Sequence, residues 1–133
     1  MPYLNWTETE ILPVSSEHPR WGTQLDLALS AERIVTLVDS LAPVFAKAGS
    51  ELRIDFPSKW TLYWKIREGD TRLLLAHPDA DAWVGTVALN PEQAESFLMR
   101  LRGLSLPGAS SIQMSELPGV SRPSNLELVL RLR

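Results

Sequence analysis

From Trp60 to Arg67 the chain alternates without a break: Trp60, Leu62, Trp64 and Ile66 on one side, Thr61, Tyr63, Lys65 and Arg67 on the other. Side chains of a strand point to opposite faces in turn, so this segment predicts a half-buried strand with an aromatic inner face. The same period recurs in Gln24 to Leu29, which buries Leu25, Leu27 and Leu29, and in Glu51 to Phe56, which buries Leu52, Ile54 and Phe56. It closes the chain as well, with Leu126, Leu128, Leu130 and Leu132 inward and Glu127, Val129, Arg131 and Arg133 outward.

Two stretches change to helical spacing. Ser30 stands at an N-cap position before Ile34, Leu37, Val38, Leu41 and Phe45, and Gly49 supplies a left-handed stop. Pro43 inside this run removes a backbone donor, which predicts a kink near Asp39 to Ser40 or an early end. Asn90-Pro91-Glu92-Gln93 combines an N-cap, proline at the first helical position and a side chain able to close a capping box. Ala94, Phe97, Leu98, Leu101 and Leu104 form the stripe of that second helix, and Gly103 can end it.

Between the helices, Glu68-Gly69-Asp70 predicts a hairpin that makes Thr71 to Ala76 the antiparallel neighbour of the tryptophan strand. The triplet Leu73 to Leu75 breaks the alternation, which fits an interior strand or one whose outer face is partly covered, as by a partner. Trp83 to Leu89 reads as the next meander strand, with Gly85 between bulky neighbours. Ser110 to Ser115 is a weaker strand, joined to the last by a loop containing Pro118, Gly119 and Pro123. The predicted order is β-α-β-β-β-β-α-β-β. That is an α+β fold of two layers, a largely antiparallel sheet with both helices on one face. Residues 1–133 form a single domain, with 1–23 an irregular arm carrying at most a short extended piece around Ile11 to Val14, pinned by Trp6 and Trp21.

Composition narrows the chemistry. A hydrophobic fraction of 44% with 22% charged residues belongs to a globular protein. A net charge of −3, with 13 basic residues scattered among 16 acidic ones, leaves no electrostatic footprint for nucleic acid or an anionic membrane. No run reaches the length of a membrane helix, and the N-terminus lacks the pattern of an export signal, so the cytoplasm is the expected location. Zero cysteines remove disulfides and thiolate chemistry. Glycine-rich phosphate loops, a Gly-x-Ser-x-Gly elbow and H-E-x-x-H are absent, so no catalytic, cofactor or metal residue is assigned.

Two places remain. His77, Asp79 and Asp81 gather an imidazole and two carboxylates in a loop that proline and aspartate also suit as a plain turn. The outer sheet face offers Tyr63, Lys65, Arg67, Arg131 and Arg133 as an interaction surface, with Arg53, Asp55 and Thr61 beside them. Two functions follow. The first is a non-catalytic module that binds another protein or itself, edge pairing being the route to a homodimer. The alternative is a small-ligand binder or enzyme with an apolar pocket between sheet and helices, lined by Trp60, Trp64, Trp83 and Phe97.

Overall fold

A computed structural model describes residues 2–11, 13–79, 81–104, 111–117 and 124–133. The predicted elements all occur, and the arm adds two strands. In chain order they are β1 (Tyr3–Asn5), β2 (Val14–His18), β3 (Gly22–Leu29), α1 (Ala31–Ala46), β4 (Glu51–Phe56) and β5 (Trp60–Ile66). Then come β6 (Arg72–Asp79), β7 (Ala82–Leu89), α2 (Pro91–Leu104), β8 (Ser111–Gln113), a 3₁₀ turn at Met114–Glu116 and β9 (Leu126–Leu132). The predicted loop around Pro118, Gly119 and Pro123, and the start of its preceding strand at Ser110, lie outside the described residues.

The strands form two sheets, β1-β4-β5-β7-β6 and β2-β3-β9-β8. Both are mixed rather than largely antiparallel, because β1 runs parallel to β4, β5 to β7 and β3 to β9. The helices pack on each other, and each reaches both sheets, α1 through β3, β4 and β5 and α2 through β7 and β8. Their buried stripes and the inner faces of the strands make one hydrophobic cluster. The class is α+β with helices on sheet.

Both helix starts follow the local sequence. The Arg33 N–H donates to Ser30 Oγ at 3.2 Å, and the Gln93 N–H donates to Asn90 Oδ1 at 2.9 Å. The capping box is only half made: the Asn90 N–H donates to buried Thr71 Oγ1 at 3.1 Å, and Gln93 Oε1 has no partner. Helix α1 runs through Pro43 without ending. Pro43 and Asp39, whose carbonyl loses its helical donor, are both exposed residues.

The predicted β5–β6 pairing is replaced by an insertion. Strand β7 lies between them, parallel to β5 and antiparallel to β6. Composition accounts for this: Gly85, Val87, Ala88 and Leu89 are buried and nearly the whole strand is apolar, as a central position requires. Strand β6, carrying Arg72, Pro78 and a register shift between Ala76 and Asp79, takes the edge. Leu73 is buried there and Leu74 is 39% exposed, so the triplet does not mark an interior strand, and within the single chain its outer face is open.

At Leu73 and Leu75 that edge is covered from the other sheet. The Asn125 N–H donates to the Leu73 carbonyl at 3.0 Å, the Leu75 N–H donates to Asn125 Oδ1 at 2.7 Å, and Asn125 Nδ2 donates to the Leu75 carbonyl at 3.0 Å. Ser124 Oγ accepts from the Leu73 N–H at 3.1 Å. One asparagine thus plays the part of a sixth strand and ties β9 to β6. Asn125→Ala is expected to cost about 1–2 kcal/mol in urea unfolding, since two backbone groups lose partners at a site water can reach.

Strand β9 corrects a second reading. Alternation sends Glu127 and Val129 outward, yet they are 2% and 3% exposed. Strand β8 stops at Gln113, and Ser115 lies where its ladder would continue opposite Glu127. The Ser115 N–H donates to Glu127 Oε1 at 3.0 Å, and Ser115 Oγ donates to Glu127 Oε2. Burial pushes the Glu127 carboxyl above its ordinary value, against the Ser115 hydrogen bond and the charge of His18. A carboxyl raised in the native state binds its proton more tightly there than in the unfolded chain. Its contribution to stability is therefore complete below the ordinary glutamate value and is lost as pH rises through the folded value. Thermal melts between about pH 4 and pH 8 should show Glu127→Gln gaining on the parent as pH rises through that window.

Candidate functional site

The outer face of β1, β4 and β5 gathers the polar positions that alternation sends away from the core. Register places Tyr3, Arg53 and Tyr63 in one row across three strands, with Thr86 of β7 next. Asn5, Asp55 and Thr61 form a second row, and Glu51 lies opposite Lys65.

Arg53 is the centre of the first row. Its guanidinium carbon lies 5.9 Å from the ring centroid of Tyr3 and 5.9 Å from that of Tyr63. Such a separation lets the cation interact with both π faces. Arg53 Nε donates to Asp55 Oδ1 at 3.0 Å, Thr61 Oγ1 donates to the same oxygen at 3.1 Å, and the Tyr3 hydroxyl donates to Asp55 Oδ2 at 2.6 Å. Burial pushes the Asp55 carboxyl up, but the hydrogen bonds from Tyr3, Arg53 and Thr61 and the Arg53 charge outweigh it and hold it below its ordinary value. Asp55 is an anchor already fully engaged by donors, which leaves it poorly suited to accept a substrate proton.

Two concavities flank Arg53. One, of about 330 Å³, is lined by Pro2, Tyr3, Glu51, Arg53 and Tyr63. The other, of about 420 Å³, lies between Arg53, Thr7 and Thr61 and the β4–β5 turn, with Pro57, Ser58 and Lys59 on its wall. In that turn Ser58 and Lys59 have φ of 63° and 61°, a left-handed conformation that costs non-glycine residues roughly 1–2 kcal/mol each. Lys59 Nζ also pairs with Asp81 Oδ2 at 2.9 Å, which holds the turn against the start of β7.

The structure divides the predicted surface. Tyr63 and Lys65 lie on this face, and Arg67 follows the end of β5, its backbone N–H on the Leu89 carbonyl at 2.9 Å and its Nε on the Glu68 carbonyl at 3.2 Å. Arg131 and Arg133 belong to the other sheet, where they pair with Asp26 at 2.6 Å and Glu10 at 2.9 Å. The five residues are not one patch.

The predicted loop is narrower than expected, because His77 and Asp79 fall within β6. His77 stands edge-on to Trp83, with ring centroids 3.6 Å apart, while Asp81 faces Lys59. Among the described residues no three His, Cys, Asp or Glu side chains come together to hold a metal ion.

The aromatic residues between sheet and helices fill one another's space. Trp64 stacks on Phe97 at 5.3 Å and Trp60 on Trp83 at 4.6 Å; Trp64 and Phe97 are fully buried. Tyr3 is the site residue that the sequence did not reveal. A three-residue strand is too short for its period to stand out, and its neighbours are some fifty positions away. Comparison of the chain with protein-family models, characterised proteins and solved structures finds no match.

Proposed function

We propose that the chain is a non-catalytic protein-interaction module whose recognition surface is the outer face of β1, β4 and β5. The observation that carries this reading is Arg53, held by Asp55 at Nε and by two tyrosine rings beside two concavities. Tyrosine and arginine dominate binding hot spots because they offer large contact area and directed donors. Here the arginine's ordering cost is met in the free protein, which favours recognition. The absence of any assigned nucleophile or acid/base pair in the sequence supports binding over turnover. The cysteine-free composition fits a reducing compartment, and the cytoplasm is the proposed place where it works.

The partner is expected to be another protein, and the test compares the parent chain with Arg53→Ala and Tyr63→Ala in co-purification from the source cell. Any protein captured by the parent should bind each variant roughly 30-fold more weakly by titration, the equivalent of about 2 kcal/mol. Equal affinity for parent and both variants, with both variants folded by circular dichroism, would exclude this face.

A further inference from the structure

We propose that β2 is a self-association edge. Two copies pair antiparallel through β2, about a twofold axis at Ser16, and join their four-stranded sheets into one. This surface lies on the sheet that does not carry Arg53, so it stands apart from the partner surface described above.

The four edges of the two sheets are not equivalent. Strand β6 is covered at Leu73 and Leu75 by Ser124 and Asn125 and shifts register beyond Ala76, and β1 and β8 have three residues each. Strand β2 has five, all in regular register with β3, and its first four are exposed. Of the usual protections only one charge, Glu17, is present: the strand has no lysine, no proline and no bulge between Val14 and His18. Pro13 and Pro19 bracket the strand instead, limiting pairing to this stretch. The turn behind it is fixed, since the N–H groups of Arg20 and Trp21 donate to His18 Nδ1 at 3.1 and 3.0 Å. The edge is therefore preorganised before any partner arrives.

The side chains favour a second copy as that partner. Antiparallel pairing about a twofold axis sets residue against residue symmetrically around one central position. Centred on Ser16, it overlaps the whole strand and places Val14 opposite His18 and Ser15 opposite Glu17. Glu17, the strand's one carboxylate, then meets a serine hydroxyl, whereas centring on Glu17 would oppose two carboxylates. Val14, 59% exposed in the single chain, gains cover from an imidazole ring. Pairing of like edges also closes the assembly, because each copy uses the same edge.

Sedimentation equilibrium of the unmodified chain should give a dimer, and a monomer up to roughly 300 μM, a concentration at which even weak association of about 5 kcal/mol is visible, would overturn the proposal. Ser16→Lys and Ser16→Glu each put like charges face to face on the axis, and each should weaken the dimer about tenfold or more at low salt. A one-to-one mixture of the two should restore it. Because the chain has no cysteine, Ser16→Cys supplies a single thiol, which should oxidise to a covalent dimer much faster than Val35→Cys on the exposed side of α1. Equal rates for the two, or a dimer indifferent to both charge variants while all remain folded by circular dichroism, would place any association elsewhere. Tyr63→Ala should leave the dimer unchanged, which separates this surface from the outer face of β5.

Discussion

Trp64→Ala is expected to destabilise the protein by about 4 kcal/mol, a loss that would leave a typical domain of this size marginal. The indole is fully buried and lies parallel to Phe97 with ring centroids 5.3 Å apart and 17° between planes. It is the side chain by which β5, in the middle of its sheet, grips α2. Truncation would remove both the transfer free energy and the stacking and leave a cavity that neither neighbour can fill. Trp64→Phe should cost under about 2 kcal/mol, because Nε1 has no hydrogen-bond partner and phenylalanine removes that unsatisfied donor while keeping a ring on Phe97. Urea unfolding followed by far-ultraviolet circular dichroism checks both, and similar losses for the two variants would show that the indole's size, not its stack, is what the site requires.

The ring was recognisable as core from the local period alone. Alternation in β3, β4 and β5 and the Asn90-Pro91 start of α2 are properties of contiguous residues, and each element appears where its pattern lies. Pairing between strands is not contiguous. Glu68-Gly69-Asp70 is a suitable hairpin turn, yet β7 displaces the expected partner because its buried run needs neighbours on both sides. Glu127 shows the same limit at one residue. Its place on the polar phase of β9 was correct, but nothing nearby in sequence says that Ser115 will cover it and supply two donors.

The site was half legible for the same reason. Tyr63, Lys65, Arg53 and Asp55 could be assigned to an outer face by phase. That Arg53 stands between Tyr3 and Tyr63 depends on a parallel pairing of β1 with β4 and an antiparallel one of β4 with β5. Arg131 and Arg133 share the outward phase but not the sheet, so assuming one sheet joined residues that two sheets separate.

Gly85→Val is expected to cost about 3 kcal/mol or more, and Gly85→Ala about 1–2 kcal/mol. Gly85 is buried in β7 opposite Leu62 of β5 and Leu75 of β6. A Cβ built there would lie 2.5 Å from Leu62 Cδ2 and 3.5 Å from Leu126 Cδ2, a leucine of the other sheet. Glycine's missing side chain is the space those two leucines use as the sheets meet over β7. A strand interior ordinarily gains roughly 0.5–1 kcal/mol when glycine becomes alanine, so any net loss measures the collision with Leu62. Leu62 has a flexible end, and shortening it should relieve the clash: Leu62→Ala with Gly85→Ala should be more stable than the sum of the single losses by at least about 1 kcal/mol. Simple additivity in that double-mutant cycle would show that the collision with Leu62 is not what the added Cβ costs.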